Sequence, residues 1–175
     1  MRRGMIHGRF QPFHNGHLEY LHGAAERSDE LWVGITNPDP SLVKPEPSDP
    51  LRHLPESNPY TYAERLLMVT AVADTVDVDV HVIPFPVNQP ELWQAYVPEN
   101  VTQYIRQFSD WGSTKIERFR SAGYDVVILD EGAEKEISGA AVRMAMREGR
   151  EWQSLVPAGV VGVIEGLERA PALAS

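Results

Sequence analysis

Hydrophobic positions along the chain fall into two rhythms that take turns. Short apolar runs bounded by glycine, proline or charge predict buried strands at Met5-Ile6-His7-Gly8-Arg9-Phe10, Leu31-Trp32-Val33-Gly34-Ile35, Val80-His81-Val82-Ile83-Pro84 and Asp125-Val126-Val127-Ile128-Leu129, with a further strand at Val101 to Ile105. Between them the apolar residues recur at helical spacing. After Pro12, Leu18, Leu21, Ala24 and Ala25 share one face. Thr61 and Glu64 form a capping box ahead of Leu66, Leu67, Val69 and Val72. A short helix is expected from Glu91 to Tyr96, and Thr114 with Glu117 is expected to open another that Gly123 ends. Ser138 caps a helix through Val142 and Met146 to Gly149, and Pro157 suits the first turn of a last helix to about Leu167. Alternation of this kind predicts a three-layer α/β fold, doubly wound and Rossmann-like, with a mainly parallel five-stranded sheet.

One stretch breaks the rhythm. Seven of the 14 prolines sit at residues 38–59. Proline fixes φ and lacks a donor, so neither a sheet strand nor a long helix fits there. We expect an insertion loop, of the kind that often forms a lid or binding loop. Nothing else divides residues 1–175, so a single domain is expected.

Composition narrows the function classes. With 42% apolar and 23% charged residues the chain is an ordinary globular protein. No apolar run approaches the ~20 residues that span a bilayer. The two arginines at the start have no apolar stretch behind them, so no signal peptide is read there and a cytoplasmic address is expected. The absence of cysteine excludes disulfides, zinc thiolate sites, iron–sulfur clusters and thiol nucleophiles. A net charge of −9 argues against nucleic acid as a partner. Residues 1–27 run against that average, with Arg2, Arg3, Arg9 and Arg27 against two acids, and four of the six histidines, His7, His14, His17 and His22. A local cationic patch in an acidic chain points to a small anionic ligand.

The chemistry concentrates in Gly8-Arg9-Phe10-Gln11-Pro12-Phe13-His14-Asn15-Gly16-His17, between the first strand and the first helix. Ligands of doubly wound sheets bind beside the carboxyl ends of the strands, where a helix start offers amide donors and partial positive charge to phosphate. Gly8 and Gly16 let backbone approach a ligand. His14 and His17, three residues apart, share one face, and together with Arg9 they suit the charge of a triphosphate undergoing cleavage. A histidine pair at this spacing also fits half a metal site, with His7 and His22 as further ligands, although no acid nearby completes the set.

The ten-residue string resembles the signature of the nucleotidylyltransferase superfamily, whose His-x-Gly-His motif stands as His14-Asn15-Gly16-His17. The flanking residues are similar to those of archaeal-type nicotinamide mononucleotide adenylyltransferases. The superfamily's second motif stands as Ile137-Ser138-Gly139-Ala140-Ala141-Val142-Arg143. Asn58-Pro59-Tyr60-Thr61-Tyr62-Ala63-Glu64-Arg65 and Glu151-Trp152-Gln153-Ser154-Leu155-Val156-Pro157 are two further matches, in the family's order. The resemblance implies transfer of a nucleoside monophosphate from a triphosphate, with Mg²⁺, to a phosphate-bearing acceptor, and release of pyrophosphate. Its leading form is ATP to nicotinamide mononucleotide, a step of NAD biosynthesis. It implies catalytic roles for His14, His17, Arg9 and Arg143, and nucleotide contacts from Gly8, Phe10, Gly16, Ser138, Gly139 and Ala140. Acceptor contacts fall to Trp93, Asn37 and Trp111. No protein metal ligand is implied, because Mg²⁺ rides on the triphosphate. Partners are the triphosphate and a small phosphorylated acceptor, without membrane or nucleic acid; the family often forms homo-oligomers.

Three departures touch the acceptor side. Ser57-Asn58 stands where the family has an arginine–aspartate pair, leaving Lys44 or Arg52 to replace the missing guanidinium. Phe85-Pro86-Val87-Asn88 lacks the family's aspartate after the third strand, and Ala140 replaces a common threonine. An acceptor pocket rebuilt in this way keeps a second enzyme reading open, a cytidylyltransferase acting on a phosphonate or a phosphorylated small alcohol. A non-catalytic nucleotide sensor is a third reading. The retention of His14, His17, Ser138 and Arg143 together weighs against it.

Overall fold

Residues 3–8 have no charged side chain beyond Arg3, and all but the two end residues are buried, as expected of a strand covered on both faces. This strand, β1 (Arg3–Gly8), is the centre of a sheet in the order β3-β2-β1-β4-β5, with β2 at Glu30–Thr36, β3 at Asp79–Phe85, β4 at Val101–Gln107 and β5 at Asp125–Glu131. Every pairing is parallel. The computed structural model describes residues 1–45, 50–107, 110–131 and 137–167, without the side chains of 110–112, 130 and 131.

Among the described residues five α-helices connect and follow the strands: α1 (Asn15–Ala25), α2 (Tyr62–Ala73), α3 (Asp110–Ser121), α4 (Gly139–Arg147) and α5 (Ala158–Gly166). Leu21 and Ala24 of α1, Met68 and Val69 of α2, Val142 of α4 and Val160 of α5 pack with Ile6, Leu31, Val33 and Ile35 in a first core. Met5, Phe85, Trp93, Ile105 and Phe119 build a second core on the opposite face of the sheet, under α3. The sheet is therefore covered on both sides, the three-layer, doubly wound arrangement expected.

The caps explain most helix starts. Thr61 and Glu64 form the predicted reciprocal box at α2, with Thr61 N–H donating to Glu64 at 2.8 Å and Glu64 N–H to Thr61 Oγ1 at 3.3 Å. Ser138 Oγ accepts from Ala141 N–H at 3.1 Å and caps α4. Gly123, just past α3, takes a φ of 86°, which an L side chain rarely adopts. Three expectations need correction. Helix α3 opens at Asp110, so Thr114 and Glu117 lie a turn inside it; a Thr-x-x-Glu pair suits an interior turn as well as a first one. Residues Pro90–Ala95 form a 3₁₀ helix, and Pro157 stands at the cap of α5 rather than within it. The proline-rich stretch carries only short 3₁₀ turns, Pro40–Leu42 and Pro55–Ser57, with residues 46–49 outside the described set. Among the described residues no helix is long and apolar enough to cross a membrane.

Candidate active site

The strand order reverses direction between β1 and β4, and a crevice at such a switch point is where open α/β sheets bind ligands. The loop leaving β1 there and the start of α1 are held by three guanidinium groups. Arg65 of α2 donates from Nη1 to the carbonyl of Arg9 at 3.0 Å, and Arg143 of α4 from Nη1 to that of Gln11 at 2.6 Å. Arg106 of β4 donates from Nη1 to the carbonyl of Gly16 at 2.6 Å. Such charge-assisted bonds are the strong ones. They tie down the backbone carbonyls of the loop and put three positive charges around it.

Within this frame His14 is the N-cap of α1 and His17 stands in its first turn. Their rings stack with centroids 3.7 Å apart. His17 Nδ1 accepts the backbone N–H of His14 at 3.2 Å. An accepting nitrogen carries no proton, so a neutral His17 bears its hydrogen on Nε2 and presents it as a donor. Phe10 packs its ring edge-on to His17 at 5.0 Å, and Phe13 lies 5.4 Å from it. His17 is half-buried and His14 buried.

The second motif meets the first here. Arg143, 6% exposed, reaches across to Gln11, three residues before His14. Gly139 makes that approach possible: a Cβ there would come within 2.9 Å of the Gln11 carbonyl oxygen and 3.0 Å of Arg143 Nη1. A Cβ on Gly16 would lie 3.8 Å from the carbonyl oxygen of Ile137, so the starts of α1 and α4 are neighbours. The cap of α4 uses the amides of Ala141 and Val142, leaving those of Gly139 and Ala140 at the open end of the helix. Asn15 Nδ2 donates to the carbonyl of Ser154 at 2.8 Å, which docks the Glu151–Pro157 motif on the start of α1.

Other expected site residues sit differently. Arg9 directs Nη1 to the carbonyl of Arg52 at 2.9 Å and to Asn58 Oδ1 at 3.3 Å, which ties that nitrogen to the proline-rich segment. Phe10 is fully buried and adopts φ 53°, and its side chain packs edge-on to His17 as part of the core. Gly8 is needed by that ring, because a Cβ on it would come within 2.8 Å of Phe10. Asn37, at φ 49°, gives its carbonyl to Arg65 Nη2 at 2.8 Å. Trp93 is 1% exposed and stacked on Phe119 at 4.3 Å, with its indole N–H donating to the carbonyl of Pro86 at 3.0 Å. The indole is a core side chain here, and its stacking surface is taken by Phe119. The side chain of Trp111 lies outside the described residues.

Several organising residues escape sequence reasoning. Gln11 locks the loop to the segment just before α2 through two bonds, Nε2 to the Tyr60 carbonyl at 2.8 Å and Oε1 from the Tyr60 amide at 2.9 Å. Asn58 Nδ2 donates to the carbonyls of Arg52 and Leu54 at 2.8 and 3.0 Å. Arg65 is 3% exposed and adds bonds to the carbonyls of Thr36 and Thr61. Burial draws its guanidinium down to about 10, still fully charged at neutral pH. Each of these acts on backbone carbonyls that only the fold assembles. The one available signal was their position inside the motif strings.

The model of the cytidylyltransferase-like family matches residues 5–145. The chain belongs to that family. It is 43% identical over 165 residues to a phosphonoformate cytidylyltransferase of Streptomyces viridochromogenes, covering 93% of this chain and 90% of the relative. It is 37% identical over 173 residues to a nicotinamide-nucleotide adenylyltransferase of Methanocorpusculum labreanum, covering 97% and 95%. The fold is similar to that of a bifunctional NMN adenylyltransferase/ADP-ribose pyrophosphatase from Francisella tularensis, crystallised with AMP and a Mn ion, with TM-score 0.67 at 17% identity. The likeness covers 99% of this chain and 52% of the other, so the chain spans about half that protein's length. The chain is a nucleotidyltransferase, and the two loops that converge in the structure are those that carry the family's motifs.

Proposed function

We propose that this nucleotidyltransferase moves a cytidylyl group from CTP to a small acceptor bearing a phosphonate or phosphate oxygen. The acceptor oxygen forms a bond to the α-phosphorus while the bond to the α–β bridging oxygen breaks, and its electron pair leaves with pyrophosphate. No covalent enzyme intermediate is needed. The residues act by position and charge. The open amides of α1 and α4 receive phosphate oxygens. His17 donates from Nε2 to the charge that develops at the α-phosphate, and Arg143 and Arg106 keep the loop under it rigid and positive. A divalent cation, Mg²⁺ in this reading, would ride on the triphosphate and offset its charge. Among the described residues no group of three or more His, Asp or Glu gathers to ligate one.

One observation carries the choice of acceptor. An in-line displacement brings the attacking oxygen in opposite the departing pyrophosphate. In this reading the helix starts that receive the triphosphate lie on the first-core side of the sheet, and we place the acceptor over the second-core side. That side is filled by Phe85, Trp93 and Phe119 packed on one another. A small acceptor suits this filling better than one with a ring to intercalate. The 43% identity to a phosphonoformate cytidylyltransferase supports the same reading.

A second reading, ATP to nicotinamide mononucleotide, is favoured by the 37% identical relative. Both readings fit a cytoplasmic enzyme, where nucleoside triphosphates abound, and homo-oligomer formation is an expectation from the family alone. The experiment is a grid of CTP and ATP against phosphonoformate and nicotinamide mononucleotide with Mg²⁺, followed by pyrophosphate release. The first reading expects kcat/KM to be at least ~10-fold higher for CTP with phosphonoformate than for any other pair. A preference for ATP with nicotinamide mononucleotide replaces it by the second.

A further inference from the structure

His7 is the one histidine that the site above leaves unused and that the fold nonetheless buries to 4% exposure among apolar side chains. It is the last residue but one of β1, on the strand beside the switch point. Alternation along the strand turns Ile6 to the first core and Met5, with His7, to the second. Its ring lies 5.5 Å from that of Phe85, at the end of β3, and 5.1 Å from that of Phe119, on α3. Neither Nδ1 nor Nε2 has a hydrogen-bond partner among the described residues. Gln103, the nearest buried amide by register, opposite Met5 on β4, turns its Nε2 to Met5 Sδ at 3.3 Å.

Leaving a buried polar group without a partner costs ~1–3 kcal/mol, which an aliphatic side chain would avoid. A valine or leucine here would suit both strand propensity and the second core. The imidazole thus opposes stability at a position where an apolar residue fits, and such positions are retained for function more readily than for folding. Burial, and next the nearby Lys115 ammonium, push its pKa well below the ordinary value, so the ring is neutral and carries one N–H donor and one acceptor nitrogen.

We propose that His7 is a specificity-determining residue that hydrogen-bonds the non-reacting polar end of the acceptor. This rests on the transferase reading, in which the acceptor comes over the second-core side, the side to which His7 points. The first-core helix starts hold the triphosphate while His7, from the opposite face of the central strand, holds the far end of the acceptor so that its phosphonate or phosphate oxygen meets the α-phosphorus in line. The chemistry it recognises is a carboxylate or carbonyl oxygen within reach of the reacting group. Aided by the positive charge of Lys115 on α3, it favours a carboxylate.

The test uses wild type, His7→Val and His7→Asn with CTP, comparing phosphonoformate with methylphosphonate, which lacks the carboxylate. Wild type is expected to prefer phosphonoformate. His7→Val is expected to raise the KM for phosphonoformate at least ~10-fold and to lose the preference, with the KM for CTP unchanged and thermal stability equal or higher. His7→Asn, which keeps a donor and an acceptor, is expected to recover part of the preference. Equal acceptor KM and equal preference in all three proteins overturn the proposal and mark His7 as a core residue bridged by buried water. If His7→Val does not fold, the Asn variant alone decides, since an unchanged preference with a shifted pH of unfolding also overturns it. A wild type that releases no acceptor-dependent pyrophosphate with any triphosphate and acceptor sinks the transferase reading itself and this inference with it, an outcome distinct from an active wild type with indifferent variants.

Discussion

At the scale of single residues, the site works through what each polar atom is already bonded to. His17 accepts from the backbone at Nδ1, so a neutral ring carries its proton on Nε2, the donor that the proposed mechanism aims at phosphate. In that mechanism removal of the ring deletes a transition-state contact, along with ring contacts to Phe10 and Phe13, so His17→Ala is expected to lower kcat by at least ~100-fold while the protein stays folded; steady-state pyrophosphate release and a thermal melt check both halves. Arg143 does two jobs, since one Nη holds the Gln11 carbonyl from a buried position. Lysine has one compact charge where arginine has a fork, so Arg143→Lys is expected to cost both ~1–2 kcal/mol of stability and at least ~10-fold in kcat/KM. Loss of activity with unaltered stability would mean the Gln11 bond is dispensable. The two histidines were legible as candidates from their three-residue spacing at a helix start, and Arg143 from the resemblance of Ile137–Arg143 to the family's second motif. Gln11, Asn58, Arg65 and Arg106 were not. Each one grips main-chain groups supplied by distant segments, and no periodicity encodes a carbonyl that becomes available only when the chain has folded.

At the scale of elements, the decisive fact is that the starts of α1 and α4, far apart along the chain, are neighbours in space. Both starts were readable from their caps and motifs; their adjacency came only from the fold. The start of α3 was misplaced by four residues, because a capping pattern inside a helix looks the same in sequence as one at its end. Arg65 is the main tie between elements, joining the ends of β1 and β2 to the start of α2 through the carbonyls of Arg9, Thr36, Asn37 and Thr61. Replacing it by methionine leaves those buried carbonyls without their donors, so Arg65→Met is expected to cost ~2–4 kcal/mol, measured by denaturant unfolding, and lysine is expected not to restore it. Trp93 was read as an acceptor contact because it matches a tryptophan of the family that the chain resembles. In the fold it stacks on Phe119 and is closed off from solvent. Trp93→Ala is accordingly expected to cost ~3–5 kcal/mol. A loss under ~1 kcal/mol with a raised acceptor KM would return the residue to the acceptor site.

At the scale of the whole molecule, the two faces of the sheet divide the labour. The first-core side contributes both helix starts and the arginines that brace them, in a chain whose net charge is −9. The second core is apolar, with the His7 ring set against Phe85 and Phe119. That buried imidazole also sets a pH dependence. Its folded pKa is depressed below the ordinary 6.5, so between the two values the unfolded chain binds a proton that the folded chain refuses. The stability contribution is therefore intact above about pH 6.5 and is lost as pH falls toward the folded value, at up to ~1.4 kcal/mol per pH unit. The difference in unfolding free energy between His7→Val and wild type is expected to widen from pH 7 to pH 5; a constant difference would show that the group does not titrate differently on folding. The central claim is that the histidine pair of the first loop and Arg143 of the second motif serve one triphosphate. A double-mutant cycle on kcat/KM with His17→Ala, Arg143→Lys and the double variant tests it most directly. The account predicts marked non-additivity, with the double variant little slower than the worse single one. Losses that simply multiply would contradict it.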